Sequence, residues 1–330
     1  MCERLKKSNP VVNPFKNTAD KMRPLLDSFE SFIKRQAMRF EIEVRTAAKE
    51  CINPKGKFLR PILVFASAYA GKYNKQGLLN RAAIVELTHL STLIHDDVID
   101  NAQMRRSSIT ANKKFGAKTA ILLGDTMFAN TVIMALEEEN FELSRKVAQA
   151  VKTICEGEIR QTLKKQKQAV TRKRYYEIAY GKTAVFFELA CWLGASATDF
   201  DRKWATAASE AGKQLGIAYQ IYDDICDWFM SESDAGKTLG TDLASGKQTF
   251  PLILLAEKLS PKQKKTILKN LEDANPLEIT EKMRELKIPQ ECEKEFVRRI
   301  NLAEKAIAPF KKESLMLAEF CTAMRSINLG

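Results

Sequence analysis

Two short clusters of aspartates are the residues in this sequence best suited to chemistry. Asp96, Asp97 and Asp100 follow an apolar stretch in the segment HDDVIDNAQMRR. In an α-helix Asp96 and Asp100 would lie one turn apart on nearly the same face. Three anions so close together repel one another unless cations lie between them. The cluster is therefore either a solvated acidic patch or a site that binds cations.

A second cluster with the same spacing favours the cation site. Asp223, Asp224 and Asp227 stand in AYQIYDDICDW, again at the end of an apolar helical run. Mg²⁺ prefers carboxylate and water oxygens and commonly joins protein carboxylates to substrate phosphates. Two facing aspartate clusters therefore predict two or three Mg²⁺ ions and a diphosphate substrate.

Basic residues stand where a diphosphate would need them. The loop NPKGKFLRP carries Gly56, Lys57 and Arg60 just before a helix, which suits a phosphate clamp. A generic charged loop explains them nearly as well. Lys182 lies in an otherwise apolar run and should face an anion, because burying an unpaired ammonium is costly. The other basic candidates near the aspartates are Arg105, Arg106, Lys237 and Lys247.

This combination points to metal-assisted ionisation. A diphosphate held by metal ions and fixed cations can leave as an anion, and an apolar cavity would protect the carbocation that remains. The sequence contains no GxSxG motif and no plausible pairing of a cysteine with a histidine for covalent catalysis.

The whole chain predicts one all-α domain. No linker rich in Pro, Gly or Ser divides the 330 residues, so we expect a single domain over 1–330, with a flexible polar segment at 1–14. Apolar residues recur at helical spacing, and no stretch shows sustained alternation of period two. The predicted helices cover about 18–50, 78–101, 117–137, 141–168, 175–193 and 205–229, with a polar turn at 107–116 and three or four shorter helices over 261–326.

Composition narrows the cellular setting. The sequence shows no signal peptide and no run of about 18 apolar residues, so we expect a soluble, cytoplasmic protein. The seven cysteines are scattered without metal-ligand spacing, which indicates buried thiols in a reducing compartment. The net charge of +12 comes from dispersed lysines, so we expect no nucleic-acid partner.

Taken together, the motifs resemble those of the trans-isoprenyl diphosphate synthases, the polyprenyl synthetases. The ordered elements run from Lys57 to Pro251: KGKFLRP, HDDVIDNAQMRR, FGAKTAILLGD, GEIRQ, GKTA, LGIAYQIYDDICD and GKTLGTDLASGKQTFPL. The resemblance implies antiparallel helices around a central cavity, a homodimer, and head-to-tail addition of isopentenyl diphosphate to an allylic diphosphate. A peripheral membrane contact for product release is a further expectation.

The resemblance also implies a role for individual residues. Asp96, Asp100 and Asp223 would bind Mg²⁺, supported by Asp97, Asp224 and Asp227. The allylic diphosphate would be held by Arg105, Lys182, Thr183, Gln220, Lys237 and Lys247. Isopentenyl diphosphate would be held by Gly56, Lys57, Arg60, His89 and Arg106. For His89 the alternative is an ordinary core histidine.

The chain departs from the family pattern at two places. In GGKRxRP, Lys55 replaces the first Gly and Phe58 replaces the Arg, and Ser107-Ser108-Ile109-Thr110 stands in place of GxPT. The metal and diphosphate positions are retained. We therefore expect changes in loop shape and kinetics rather than in the reaction.

Product length can be argued from the residues one turn before Asp96. Ser91 and Thr92 stand where members that make farnesyl products typically carry an aromatic residue. Small residues leave the path open, and a deeper floor must then stop growth. Phe128 and Met134 are the candidates for that floor, although both also suit an ordinary core. The expected product has about six to eight isoprene units by analogy with the family, with geranylgeranyl diphosphate as the nearest alternative.

Other classes of protein fit less well. A class I terpene cyclase also carries one DDxxD, but its second metal motif is of a different Asn/Ser/Glu type. A non-catalytic subunit would be expected to have lost one aspartate cluster. A di-metal carboxylate bundle would need ExxH pairs, and neither histidine has a Glu three residues before it.

Overall fold

The computed structural model describes residues 14–52, 56, 58–105, 108–163, 170–230, 247–264 and 275–329, with only the backbone of 160–163. The helices in chain order are α1 (Lys16–Lys21), α2 (Arg23–Gln36), a 3₁₀ turn (Ala37–Arg39), α3 (Ile42–Cys51), α4 (Leu59–Ala68), α5 (Lys75–Ile99), α6 (Ala111–Phe115), α7 (Ala117–Leu136), α8 (Phe141–Leu163), α9 (Arg172–Ala179), a π-helical segment (Tyr180–Ala184), α10 (Val185–Ala195), α11 (Arg202–Phe229), α12 (Phe250–Lys258), α13 (Pro276–Glu285), α14 (Ile288–Ile307) and α15 (Leu315–Arg325).

Helix α10 lies at the centre of the fold. All its residues except Glu188 are buried, and it packs against α4, α5, α8 and α11. Helix α11 also packs along α14, and α5 packs along α7. The two aspartate motifs belong to α5 and α11, so this arrangement places both on long helices that contact the central helix.

Capping side chains fix several helix starts. Asn74 accepts a hydrogen bond from the Gly77 N–H at the start of α5, and Asp201 accepts one from the Lys203 N–H at the start of α11. Such caps satisfy backbone donors that have no partner within the helix. The predicted helices over 78–101, 117–137, 175–193 and 205–229 are confirmed, with ends displaced by up to three residues.

The segment predicted as amphipathic helix over 18–50 is mostly helical but not continuous, because the chain bends twice there. Met22 leaves the helical conformation just before Pro24, whose ring and missing N–H do not allow an uninterrupted helix. Phe40 is extended, with φ of −90° and ψ of 152°. The regular spacing of apolar residues persists because both helices bury one face, so periodicity alone did not reveal the bends.

The polar turn predicted at 107–116 contains regular structure. Strands β1 (Met104–Arg105) and β2 (Ser108–Ile109) form an antiparallel ribbon in which Met104 pairs with Ile109. The Thr110 hydroxyl donates to the Ala102 carbonyl at 2.7 Å and also caps α6. Since the ribbon is so short, its pairing depends on this closure and left no period-two pattern in the sequence.

Two other predictions fall partly outside the described residues. Helix α8 is described as far as Leu163, whereas the prediction extended to 168. The segment predicted as flexible, 1–14, lies outside them apart from Pro14. The single domain over 1–330 stays a prediction.

Candidate active site

The two aspartate motifs differ in burial from one residue to the next. Asp96 and Asp223, the first residue of each motif, are half-buried. Asp97 and Asp224, the second of each, are buried, and so is Asp227. Asp100 is exposed at the end of α5. The helical spacing therefore separates the carboxylates that face an open site from those that face protein.

Asp96 is the electrostatic centre of the first motif. Burial, together with the charges of Glu158 and Asp100, raises the pKa of its carboxyl to about 6. Lys182 and Arg105 oppose the shift. Residues of α5, α8 and the π-helical segment are therefore close enough to share one field. Glu158 belongs to the GEIRQ element, but the sequence alone gave no sign that its carboxylate lies near Asp96.

Asp97 is engaged with protein groups. Its Oδ1 accepts a hydrogen bond from Arg105 Nε at 2.7 Å, and its backbone carbonyl accepts one from the Ala102 N–H at 2.9 Å. Burial is the main cause that raises the pKa of the Asp97 carboxyl, and the Arg105 charge opposes it. Arg105 was predicted to hold the allylic diphosphate. In this arrangement its Nε also holds the β-ribbon against the end of α5.

A cavity of about 130 Å³ lies behind this ion pair. It is enclosed by α3, α5, α6 and the β-ribbon, with Leu93, Ile94 and Phe115 among its apolar walls. The ion pair between Lys114 and Glu50, at 2.7 Å, lies on the same lining. The cavity separates the first aspartate motif from α3.

Asp224 joins three elements behind the second motif. Its Oδ1 accepts from Gln220 Nε2 at 2.8 Å, and its Oδ2 accepts from the Tyr175 hydroxyl at 2.8 Å and the Phe250 N–H at 2.9 Å. Gln220 in turn accepts from the Thr183 hydroxyl at 2.6 Å. Thr183 and Gln220, both predicted to hold the allylic diphosphate, are thus brought into direct contact.

The π-helical segment carries Lys182 and Thr183. A π turn widens the helix by one residue per turn and is frequent at functional sites. Helix α11 approaches this segment closely, since a methyl group at Gly216 would lie 2.9 Å from the Ala184 Cβ and still closer to its Cα. A methyl at Gly212 would likewise overlap the Phe187 carbonyl. The two glycines allow Thr183 and Gln220 to meet.

Two of the residues predicted to hold isopentenyl diphosphate, Arg60 and His89, lie beside the ring of Phe186. The Arg60 guanidinium lies 5.0 Å from the centre of the Phe186 ring, and the His89 ring lies 5.5 Å from it. Gly56 is half-buried in a bend of the chain that leads to α4. Lys247 is half-buried ahead of α12. Lys57, Arg106 and Lys237 lie outside the described residues.

The departure at Phe58 has a structural explanation. Phe58 adopts a left-handed conformation, with φ of 48°, at the start of α4. Its ring packs edge-on against Phe29 at 5.4 Å. The side chain that replaces the family's Arg therefore belongs to the core contact between α2 and α4. Lys55 and Ser107 lie outside the described residues, and Ile109 is exposed on β2.

The chain-length candidates lie along the contact between α5 and α7. The hydroxyls of Ser91 and Thr92 donate to the Leu87 and His89 carbonyls of their own helix. Phe128 is half-buried, and Met134 is fully buried. Ser91 and Thr92, which we call the gate to chain growth, are thus both small, and their hydroxyls are turned to the backbone.

Other residues on this contact escaped sequence reasoning. The His95 ring lies 5.6 Å from the Phe128 ring, and its Nε2 is 3.1 Å from the Ile121 carbonyl oxygen. A side chain at Gly124 would overlap the His95 ring. Deeper along α7, Asn130 contacts Met134 Sδ at 3.4 Å and accepts from Arg39 Nε at 3.1 Å. The only sign of this contact in the sequence was that Asn130 is a polar residue in a mostly apolar helical run.

Divalent ions fit the chemistry of this site. The donors that face it are carboxylate oxygens, which hard cations prefer. A cation would favour the ionised form of Asp96, whose pKa is raised by burial and by the charges of Glu158 and Asp100. Within the described ranges, however, no three His, Cys, Asp or Glu side chains converge closely enough to hold one metal ion. The predicted ligands Asp96, Asp100 and Asp223 are therefore not gathered around a single point.

Comparisons with known proteins agree with this picture. A family model described as polyprenyl synthetase matches residues 41–287. The octaprenyl diphosphate synthase of Escherichia coli strain K12 is 31% identical over 224 residues, which cover 68% of this chain and 69% of that protein. The geranylgeranyl diphosphate synthase of Methanosarcina mazei is 34% identical over 221 residues, covering 66% and 68%.

The fold also matches a solved structure. The polyprenyl synthase from Caulobacter crescentus CB15, crystallised with calcium and isoprenyl diphosphate, superposes with a TM-score of 0.85 at 25% identity. The match covers 97% of this chain and 99% of that one. The all-α prediction is confirmed, and the architecture is that of the isoprenoid synthases.

Proposed function

Since the chain belongs to the polyprenyl synthetase family and is a prenyltransferase, we propose that it condenses isopentenyl diphosphate with an allylic diphosphate to give an all-trans product of about six to eight isoprene units. The observation that carries the proposal is the field around Asp96. Lys182 from the π-helical segment and Glu158 from α8 both act on that carboxylate. Anionic and cationic groups from three elements thus face one site.

The metal requirement follows from the same residues. Enzymes of this family depend on divalent metal, and we propose Mg²⁺, in two or three ions, held by Asp96, Asp100 and Asp223. When bound, the ions would neutralise the diphosphate and favour its departure. Because these aspartates are not gathered around one point among the described residues, we expect diphosphate oxygens to complete the metal coordination.

The chain's own residues would divide the remaining work. Lys182, Arg105 and Lys247 would bind the leaving diphosphate, together with Lys237. Arg60 and His89, which share the Phe186 ring, would orient isopentenyl diphosphate. The apolar walls of α5, α7 and α10 would exclude water from the cationic stage.

The small gate supports a product longer than farnesyl. The side chains of Ser91 and Thr92 are small, and their hydroxyls donate to carbonyls of their own helix instead of projecting from it. Geranylgeranyl diphosphate is the second candidate, and the half-buried Phe128 beside His95 favours it. A ring so close to the metal end would stop growth earlier than Met134 would.

Product analysis tests the proposal. Purified protein is incubated with Mg²⁺, labelled isopentenyl diphosphate and farnesyl diphosphate, and the dephosphorylated products are sized by chromatography. Prenols of about six or more units are expected if the deep floor operates. Arrest at geranylgeranyl would support the floor at Phe128. Absence of elongation with Mg²⁺ present would contradict the proposed reaction.

We also propose a homodimer formed through α7. By length and composition α7 could cross a membrane, yet 44% of its most apolar window is buried, and it packs along α5. Its outward face carries exposed apolar residues: Ile121, Leu122, Val132, Ile133 and Leu136. These residues form two apolar groups on one side of the helix, with the exposed Asp125 and Thr126 between them, and such a surface suits a self-complementary interface. Ile133→Asp should produce monomers in sedimentation, whereas Leu277→Asp, at an apolar residue that is 73% exposed on α13, should not.

A cytoplasmic setting with peripheral membrane contact completes the proposal. Met104 and Ile109 pair across the β-ribbon and are both largely exposed. Cross-strand partners project from the same face of a ribbon. They would enter the lipid interface when a long apolar product is released. If this ribbon provides the contact, the double variant Met104→Ser/Ile109→Ser should no longer float with liposomes in a density gradient. Flotation equal to that of the wild type would contradict the assignment.

A further inference from the structure

The carboxylate of the second aspartate in the α11 motif accepts three hydrogen bonds from protein groups. Asp224 is 3% exposed, and it accepts from Gln220 Nε2, the Tyr175 hydroxyl and the Phe250 N–H. The latter two reach the same oxygen, Oδ2. A carboxylate oxygen has two lone-pair sites, so the two donors occupy Oδ2 fully. Oδ2 therefore has no lone pair left for a metal ion, and Oδ1, which accepts from Gln220, belongs to a side chain that is buried in protein.

The hydrogen bonds around Asp224 run in one direction. An ionised carboxylate only accepts, so Gln220 must turn its amide N–H towards Asp224. The Gln220 carbonyl then faces Thr183 and accepts its hydroxyl proton at 2.6 Å. The proton of Thr183 is thereby held inside the protein. What the hydroxyl offers to the rest of the site is its lone pairs.

Asp224 also fixes the start of α12. Its partner Phe250 is the first residue of α12, three residues after Lys247. The Phe250 ring packs on Tyr175 at 5.0 Å, and Tyr175 itself donates to Asp224. One buried carboxylate thus anchors α9, α11 and the N-terminus of α12.

We propose that Asp224 is a positioning residue and not a metal ligand: it sets the hydrogen-bond direction of Gln220 and Thr183 and anchors the segment that carries Lys247. The inference rests on the proposed function and assigns a separate role within that site. Asp97 in the first motif is engaged in a comparable way, through Arg105. The half-buried first aspartate of each motif remains the one that faces the site.

Asp224→Asn tests the direction of the hydrogen bonds that run from Thr183 through Gln220 to Asp224, here called the relay. Its carbonyl oxygen can keep the Tyr175 and Phe250 donors, but its NH₂ would then face Gln220. Gln220 must turn over, donate to Thr183 and release the Thr183 proton into the site. We expect kcat/KM for the allylic diphosphate to fall about 10- to 100-fold, with unchanged far-UV circular dichroism.

Metal binding provides the readout that activity cannot. Mn²⁺ binding is measured by electron paramagnetic resonance in the presence of inorganic diphosphate, with Asp223→Asn as the matched neighbour. Asp224→Asn should leave the Mn²⁺ Kd within about twofold, whereas Asp223→Asn should weaken it at least about tenfold. A tenfold loss in Asp224→Asn would overturn the positioning role. An unchanged Kd in Asp223→Asn would instead contradict the proposed metal ligands and leave the role of Asp224 to the kinetics.

A double-mutant cycle separates positioning from general structural support. If Asp224 acts through Thr183, Asp224→Asn should have little further effect on kcat/KM in a Thr183→Val background. Additive losses would show that the carboxylate acts independently of the relay and would overturn the proposal. Tyr175→Phe removes one donor without altering the carboxylate, and it should reproduce only a minor part of the loss.

Discussion

Replacing Gly216 by Ala should disturb catalysis more than its small size suggests. The added methyl would lie 2.9 Å from the Ala184 Cβ and 3.1 Å from the Phe187 Cβ, whereas ordinary contacts begin at 3.4 Å. The closest atom would be the Ala184 Cα at 2.4 Å, so the gap between α11 and the π-helical segment must widen by about 1 Å. Overpacking of this kind costs about 1–3 kcal/mol of unfolding free energy.

The displacement would reach the site one turn further along α11. Gln220 lies four residues after Gly216 and shares its face, so the 2.6 Å contact between Thr183 Oγ1 and Gln220 Oε1 would lengthen. A misplacement of about 1 Å can cost about 100-fold in rate. We therefore expect a loss of up to about 100-fold in kcat/KM.

The assay combines steady-state kinetics with urea unfolding. Gly77→Ala is the control, because its added methyl meets nothing closer than 3.8 Å and lies in the first turn of α5. That change should stabilise the protein by about 0.5–1 kcal/mol and leave the rate unchanged. Wild-type kcat/KM in Gly216→Ala would refute the claim that close approach of α11 sets the geometry of the site.

Three further changes test the gate, the charge and the floor. Ser91→Phe should shorten the product to farnesyl or geranylgeranyl length in the chromatographic assay, and an unchanged product would contradict the open gate. Asp96→Asn should stabilise the metal-free protein at pH 8: the native pKa of about 6 lies above the usual 3.8, so wild-type stability falls as the pH rises between these values. The difference between the two proteins should vanish below pH 3.8 in urea unfolding, and a constant difference would count against the burial of that charge. Met134→Ala should lengthen the product and Met127→Ala should not, although both lose a fully buried side chain of α7; equal products would remove Met134 as the floor.

Local patterns predicted the helices and the motifs well, because helical periodicity and DDxxD spacing are properties of neighbouring residues. The bend at Phe40 and the pairing of Met104–Arg105 with Ser108–Ile109 were missed, since neither leaves a periodic pattern in the sequence. The sequence also could not distinguish Asp223 from Asp224. Adjacent residues of a helix point about 100° apart, and only the packing of α9 and α12 decides which one faces protein. The sequence also could not show that Glu158 acts on the Asp96 carboxyl or that the His95 ring lies against Gly124.

Helix α7 has one side in the core and the other at the surface. Met134 is fully buried, while Ile133, the next residue, is 51% exposed. If the outward side meets a second subunit and the inward side limits product growth, both events act on one rigid element. A growing chain that presses on α7 would then change the affinity of the subunits for each other, and dimerisation would change the tolerated chain length by the same free energy. The partner subunit would thus help to set product length, because it binds the helix that limits growth of the chain.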